Sequence, residues 1–244
     1  MTTVITIEAR MGSSRLPGKV LRPILGKSML SRMIERLRRV RGADRIVVAT
    51  TDAPADDPIV ALAVAEGVGC HRGSEDDVLQ RVLDAAAGAN ADLIVETTGD
   101  CPLIDPGVVD LVIDRFRAAN VDYAANVLAP TYPRGLDVQV FPTTVLAEVA
   151  SLTTDPADRE HVSLYIYQHP ERFRLLNVAS GYPPAVGALR WTVDTAEDLT
   201  LVTAVYDALY PSQPTFAWTD VLALLERQPE LMLINPHVRQ KAAR

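Results

Sequence analysis

Short apolar runs alternate with segments whose apolar residues recur every three or four positions, a pattern that predicts strands and amphipathic helices in turn. Residues 4–9 form the first run, and Leu30, Met33, Ile34, Leu37 and Val40 then mark one face of a helix. Arg45–Thr51 is β-branched and reads as a strand, followed by a helix from Pro58, a residue suited to a first turn. A short strand is expected at 69–71. Ser74 and Asp77 then stand at capping-box distance ahead of the next helix. Residues 93–97 read as a buried strand, and Asp105-Pro106 opens another helix.

Past residue 122 the rhythm loosens. Residues 137–141 alternate like an exposed or edge strand, and 160–168 read as helical. A strand is expected at 190–193, then a long helix Ala196–Leu209 and another over Trp218–Arg227. Repeated β-α units predict an α/β fold, a largely parallel sheet with right-handed crossovers. No repeat or low-complexity linker divides the chain. The expectation is one domain over 1–244, with an acceptor-side insertion at 122–185 and a polar tail at 229–244.

Composition narrows the class. With 244 residues, 48% of them apolar, the chain suffices for one α/β domain. Its net charge of -7 argues against a general nucleic-acid surface. The charge is uneven, however: residues 1–45 carry 11 Lys/Arg against 3 Asp/Glu, the remainder 13 against 28. A basic amino-terminal segment on an acidic chain suits a focused anion site. Cys70 and Cys101 lie too far apart in sequence for a paired-cysteine motif, which points to a reducing cytoplasm. No leader pattern or long apolar run is present, so neither export nor a membrane partner is expected.

The most specific chemistry follows the first strand, in E-A-R-M-G-S-S-R-L-P-G-K, residues 8–19. Cations, hydroxyls and glycines at the carboxyl end of a strand suit a polyphosphate. The loop is not a Walker P-loop: five residues separate Gly12 from Gly18, and Val20 stands where a hydroxyl is required. Nor is it a Rossmann fingerprint, because Gly12 has no glycine two positions away. Asp100, in T-T-G-D-C-P-L, and Asp194, in V-D-T, close two further apolar runs. Side by side they would make a hard-oxygen site for Mg²⁺. The residues alone leave Asp194 open between that role and helix capping.

E-A-R-M-G-S-S-R-L-P-G-K-V-L, T-G-D-C-P-L-I-D-P, Y-P-R-G-L-D-V-Q-V-F, R-E-H-V and R-W-T-V-D-T-A-E-D-L together resemble a known family. They look like the cytidylyltransferases of the spore coat polysaccharide biosynthesis protein F group, which is similar to the CMP-Kdo and CMP-acylneuraminate synthetases. The motifs fall in the expected order from residue 4 to about 210; position 8, often glutamine in that group, is Glu8. The resemblance implies a Rossmann-like, GT-A-like three-layer sandwich. It also implies transfer of CMP from CTP to an anionic acceptor such as an acidic sugar, and a homodimer.

By the same resemblance, Ala9, Arg10, Met11, Gly12, Ser13, Ser14, Arg15 and Lys19 would hold the triphosphate. Asp100 and Asp194 would hold Mg²⁺, or Mn²⁺ in its place, and Arg15, Lys19, Asp100 and Asp194 are the expected catalytic residues. Thr50, Thr51 and Asp52 with Arg72, Gly73 and Ser74 would flank cytosine, beside Thr98. Asp56 and Asp57 read as a solvated acidic loop. Tyr132, Arg134, Asp137, Arg159, Glu160 and His161 point to the acceptor, with Arg134 and Arg159 as a clamp for its acid group. His161 stays open between a base and a packing role. Other readings are a small phosphonate acceptor, a different nucleoside triphosphate, and a non-catalytic nucleotide-binding module.

Overall fold

In the computed structural model, which describes residues 1–240, a seven-stranded sheet separates two layers of helices. The expected polar tail lies outside the described residues from 241 onward. β1 (Thr3–Glu8) leads through a small hairpin, β2 (Pro23–Ile24) and β3 (Lys27–Ser28), into α1 (Met29–Leu37). Alternation continues with β4 (Arg45–Thr51), α2 (Asp57–Ala65), β5 (Gly69–Gly73), α3 (Val78–Gly88), β6 (Leu93–Thr98) and α4 (Pro106–Ala118). The second half holds β7 (Tyr123–Ala125), β8 (Gln139–Pro142), α5 (Thr143–Leu152), α6 (Pro156–Glu160), α7 (Leu164–Gln168) and β9 (Leu175–Asn177). α8 (Pro184–Gly187), α9 (Ala196–Leu209) and α10 (Trp218–Arg227) complete the order.

The strand order is β5-β4-β1-β6-β8-β7-β9, and only β8 runs antiparallel to its neighbours. Fully buried side chains explain the layering. Met33 and Ile34 of α1, Val109 of α4 and Val205 of α9 pack with Ile5 and Ile7 on one face. Leu79 and Val82 of α3, Leu146 of α5 and Ile166 of α7 cover Val4 and Ile94 on the other. Each such side chain contributes roughly 1.5–3 kcal/mol through removal from water.

Caps set several boundaries. Asp105 accepts from the backbone N–H groups of Gly107 (2.8 Å) and Val108 (3.1 Å), so α4 starts where Asp-Pro places it. Thr195 and Asp198 form a capping box at α9. At α3 the expected cap is displaced. Asp77, not Ser74, is the N-cap and accepts from Gln80 N at 3.0 Å, while Ser74 Oγ closes the preceding turn.

Three other expectations change. β8 lies inside the sheet between β6 and β7, with Val140 and Phe141 fully buried, instead of at an edge. Residues 160–168 are not one helix, because Val162, at φ 42, breaks the path between α6 and α7. Residues 190–193 form no strand; the chain there makes a single bridge, Arg134 to Arg190. Gly135 permits that approach: at φ +105, a Cβ on it would lie 2.6 Å from Thr192 N.

Candidate active site

The carboxyl ends of β1 and β6 and the turn before α9 meet at one place. Gly99 makes the first junction possible. Its N–H donates to Glu8 O at 2.8 Å, and a Cβ would sit 2.7 Å from that oxygen. The loop after β1 is held by its own backbone: Ser13 N and Gly18 N both donate to Met11 O, at 2.9 and 3.0 Å. Gly18, at φ 68, then turns the chain so that Lys19 points inward.

Lys19 Nζ lies 3.0 Å from Asp100 Oδ2, 2.9 Å from Val193 O and 2.8 Å from Asp194 Oδ1. The other oxygen of Asp194 takes Arg15 at 3.0 Å and Arg190 at 2.6 Å, and Arg190 also grips Asp198. Burial by itself would lower the Lys19 pKa, but Asp100 and Asp194 outweigh it and raise the ammonium above its ordinary value. Burial would likewise raise the Asp194 carboxyl, yet Lys19, Arg190 and Arg15 hold it below the usual carboxylate value. Thr98 Oγ1 donates to Asp100 Oδ1 at 2.7 Å, which fixes that carboxylate's plane. Cys101, buried alongside, is a thiol pushed well up by desolvation.

The same place suits a divalent cation. Two carboxylate oxygens and a carbonyl oxygen converge within 3.0 Å of one ammonium, which stands where a metal ion would meet hard ligands. Among the described residues no cage of three or more His, Cys, Asp or Glu side chains gathers. Two carboxylates are the kind of set with which Mg²⁺ would complete its shell through water and phosphate.

Two clefts adjoin here. One, of about 490 Å³, is lined by Arg10, Ser13, Ser14, Arg15 and Lys19 with both aspartates. The other, of about 830 Å³, is lined by Arg134, Asp137, Glu160 and His161 among others. Glu8, Thr98, Glu160, His161 and Gln240 belong to both walls. Burial pushes the Asp137 carboxyl up to about 6; Arg134 opposes that shift and Asp100 adds to it.

Other expected residues take supporting positions. Asp56 is 2% exposed, which overturns its reading as part of a solvated loop. It accepts from Met11 N at 2.7 Å, Thr51 N at 3.1 Å and Thr50 Oγ1 at 3.1 Å, and it also takes the Thr51 hydroxyl. Burial would raise its pKa, but these donors prevail and lower it. Thr50 and Thr51 are therefore occupied in holding Asp56, and Asp52 is exposed. Arg72 spends its guanidinium on Thr51 O (2.9 Å), Ala53 O (2.8 Å) and Asp57 (2.6 Å). Thr50 and Thr51 pair in register with Arg72 and Gly73, so the two strand ends are adjacent, but they line neither cleft.

The structure does not bring Arg159 to Arg134. Arg159 donates to Thr153 O (3.0 Å) and Ala150 O (2.6 Å) and faces Asp77 at 3.4 Å, which ties α5, α6 and α3 together. Tyr132 is buried edge-on against Trp218, ring centroids 5.3 Å apart, and lines neither cleft. Sequence reasoning gave no role to Arg190, Glu96 or Gln240. The Arg190–Asp194 spacing of four residues was the available signal for the first.

The model of the cytidylyltransferase family matches residues 4–208. The spore coat polysaccharide biosynthesis protein SpsF of Bacillus subtilis (strain 168) is 31% identical, over 92% of this chain and 94% of its own. A cytidylyltransferase from Leptospira borgpetersenii serovar Hardjo-bovis (strain JB197) has a solved structure that superposes with a TM-score of 0.92 at 33% identity. That match covers 98% of this chain and 100% of the other. A CMP:2-keto-3-deoxy-manno-octonic acid synthetase complexed with CTP shares the fold, with a TM-score of 0.64 at 23% identity over 85% and 99% of the chains.

Proposed function

We propose, for a chain that belongs to the cytidylyltransferase family and is a nucleotidyltransferase enzyme, that it moves CMP from CTP to an acidic sugar for polysaccharide or glycan synthesis. The observation that carries this reading is the meeting of Lys19, Asp100 and Asp194 in the smaller cleft, which shares a wall with the larger one. The smaller, cation-lined cleft takes the triphosphate, and the larger one takes the acceptor.

Arg10, Arg15 and Lys19 neutralise the phosphates, and backbone groups around Gly12 approach them closely. An acceptor hydroxyl in the larger cleft attacks the α-phosphorus, in line with the bond to the β-phosphate. A new oxygen–phosphorus bond forms, the α–β bridging bond breaks, and pyrophosphate leaves with the electron pair. The acceptor's proton passes to solvent or to a cleft carboxylate. Positioning and charge stabilisation carry such a reaction without a covalent protein intermediate. Asp100 and Asp194 would hold Mg²⁺ or Mn²⁺, whose chemistry there is neutralisation of the phosphate charge. Thr50 to Asp52 and the 72–74 turn would sit beside the base, shaped by Asp56 and Arg72.

A pyrophosphate-release screen tests this reading, with the four ribonucleoside triphosphates crossed against sugar acids, sugar phosphates and phosphonates. CTP with a sugar acid should give the highest rate. Asp100→Asn and Asp194→Asn should each reduce that rate by at least about a hundredfold, on the scale of losing one charge-stabilising group. Full activity in either variant refutes the metal assignment.

A further inference from the structure

The wall of the larger cleft has a composition that an acid group alone does not explain. Glu8, Glu96, Asp137 and Glu160 line it, facing Arg134 and the imidazole of His161. One arginine suffices for one carboxylate on the acceptor. The remaining carboxyl groups would repel a second.

Glu8 and Glu96 stand apart from the other two. They lie on adjacent parallel strands, where Thr6 pairs with Glu96 and Glu8 with Thr98, so both project from the same face one pleat apart. Glu96 is 4% exposed. Its Oε1 accepts from Gln139 Nε2 at 3.0 Å. Gln139 is oriented for that bond because its own Oε1 accepts from Tyr123 OH and, at 2.6 Å, from Ser163 Oγ. Glu96 Oε2 and Glu8 Oε1 are buried without a protein donor of their own, and the two carboxyl groups hydrogen-bond each other instead, with Ser163 also acting on Glu96. Arg81 and Arg10 act on Glu8 only through their field. Burial pushes Glu8 up to about 7, against the field of Arg81, and pushes Glu96 well above its ordinary value, to which the charge of Glu8 adds.

We propose that Glu8 and Glu96 form a subsite for a positively charged amino group on the acceptor, which makes the preferred acceptor an amino sugar acid. An ammonium brings three donors and a charge, enough for both orphan oxygens, whereas a hydroxyl brings one donor and no charge. A site whose buried polar groups are completed by one ligand group discriminates strongly against the analogue that lacks it. The location fits as well. Thr98, shared by both clefts, precedes Asp100 by two residues, and Arg134 on the same cleft wall is available for the acid end. This inference rests on the nucleotidyl-transfer reading above and specifies its acceptor.

The test offers the full-length protein CTP with 3-deoxy-manno-octulosonate or with 8-amino-3,8-dideoxy-manno-octulosonate, and follows pyrophosphate release. The native protein should favour the amino form at least about tenfold in kcat/KM, within the range for one completed polar contact. Glu96→Gln and Glu8→Gln should each remove most of that preference. Glu96→Gln should leave the CTP Kd within twofold by calorimetry. Both variants should melt no lower than the native protein, since each replaces a carboxyl group that keeps one buried oxygen without a protein donor. Equal use of both acceptors, a preference that survives in both variants, or CTP binding with neither acceptor used would overturn the subsite. Failure of the native protein to bind CTP would instead sink the nucleotidyl-transfer reading itself.

Discussion

Asp56 shows how a single buried carboxylate can organise the loop after β1, the proposed phosphate loop, from behind it. It joins Met11 in the loop to Thr50 and Thr51 at the end of β4, and all of its donors lie within the protein. Asp56→Ala should cost about 3–5 kcal/mol, the scale for breaking a buried charged hydrogen-bond network. It should also weaken CTP binding, since Met11 N would no longer fix the loop. Denaturant unfolding and calorimetry would measure the two effects, and unchanged values for both would refute the anchoring role. The pH dependence follows from the direction of the shift. Asp56 and Asp194 both titrate below their ordinary value of 3.8 when folded, so their contribution is complete above that value and is lost as pH falls through the lowered folded one. Acid unfolding should therefore begin below about pH 4, and Asp56→Ala should flatten that limb. The sequence concealed this residue for a physical reason. D-A-P-A-D-D-P reads as solvated acid, and its key donor arrives from Met11, 45 positions earlier.

Strands and helices were most legible where a local signal and tertiary burial agree. Arg45–Thr51 is β-branched and buried toward its carboxyl end, and Ala196–Leu209 begins at a capping box. β8 misled because alternation normally signals one wet face. Here the polar position, Gln139, faces Glu96, Tyr123 and Ser163 instead of water. Residues 190–193 misled in the opposite way, since their apolar run is buried by close approach to Gly135 and not by sheet pairing. Among the candidate site residues, Arg15, Lys19, Asp100 and Asp194 were visible as charges at strand ends. Arg72, also at a strand end, and Arg159, expected as half of an acceptor clamp, are instead spent on backbone carbonyls. The junction of β1 and β6 gives the element-scale prediction. Gly99→Ala places a methyl group 2.7 Å from Glu8 O, so the two strand ends must separate. Stability should fall by about 1–3 kcal/mol, the usual cost of overpacking. Pyrophosphate release should fall further than stability explains, because Glu8 and Asp100 flank that contact. A fully active Gly99→Ala protein would show that the junction tolerates displacement.

At the scale of the whole molecule, the carboxyl-terminal segment returns to the site although the family match ends at residue 208. Asn235, buried, donates to Arg190 O at 3.2 Å and to Asp198 Oδ1 at 2.8 Å, which anchors the segment beside the Asp194 turn. Beyond that anchor, Arg239 O accepts from Arg15 at 3.3 Å and Gln240 Oε1 accepts from Arg190 at 2.7 Å. Gln240 reaches both clefts. The Arg239 carbonyl meets a guanidinium that the proposed triphosphate would engage, so the segment would compete with CTP for Arg15. Removing residues 236–244 while retaining Asn235 should therefore tighten CTP binding, by about threefold to tenfold, or roughly 0.6–1.4 kcal/mol. Linkage requires the reciprocal effect: CTP should displace the segment and increase its cleavage by protease in the full-length protein. Asn235→Ala should move in the same direction as the truncation, but with some loss of stability because Asp198 loses a buried partner. Weaker CTP binding after truncation would reverse the assignment and make the segment part of the binding site, a closing strap in place of a competitor.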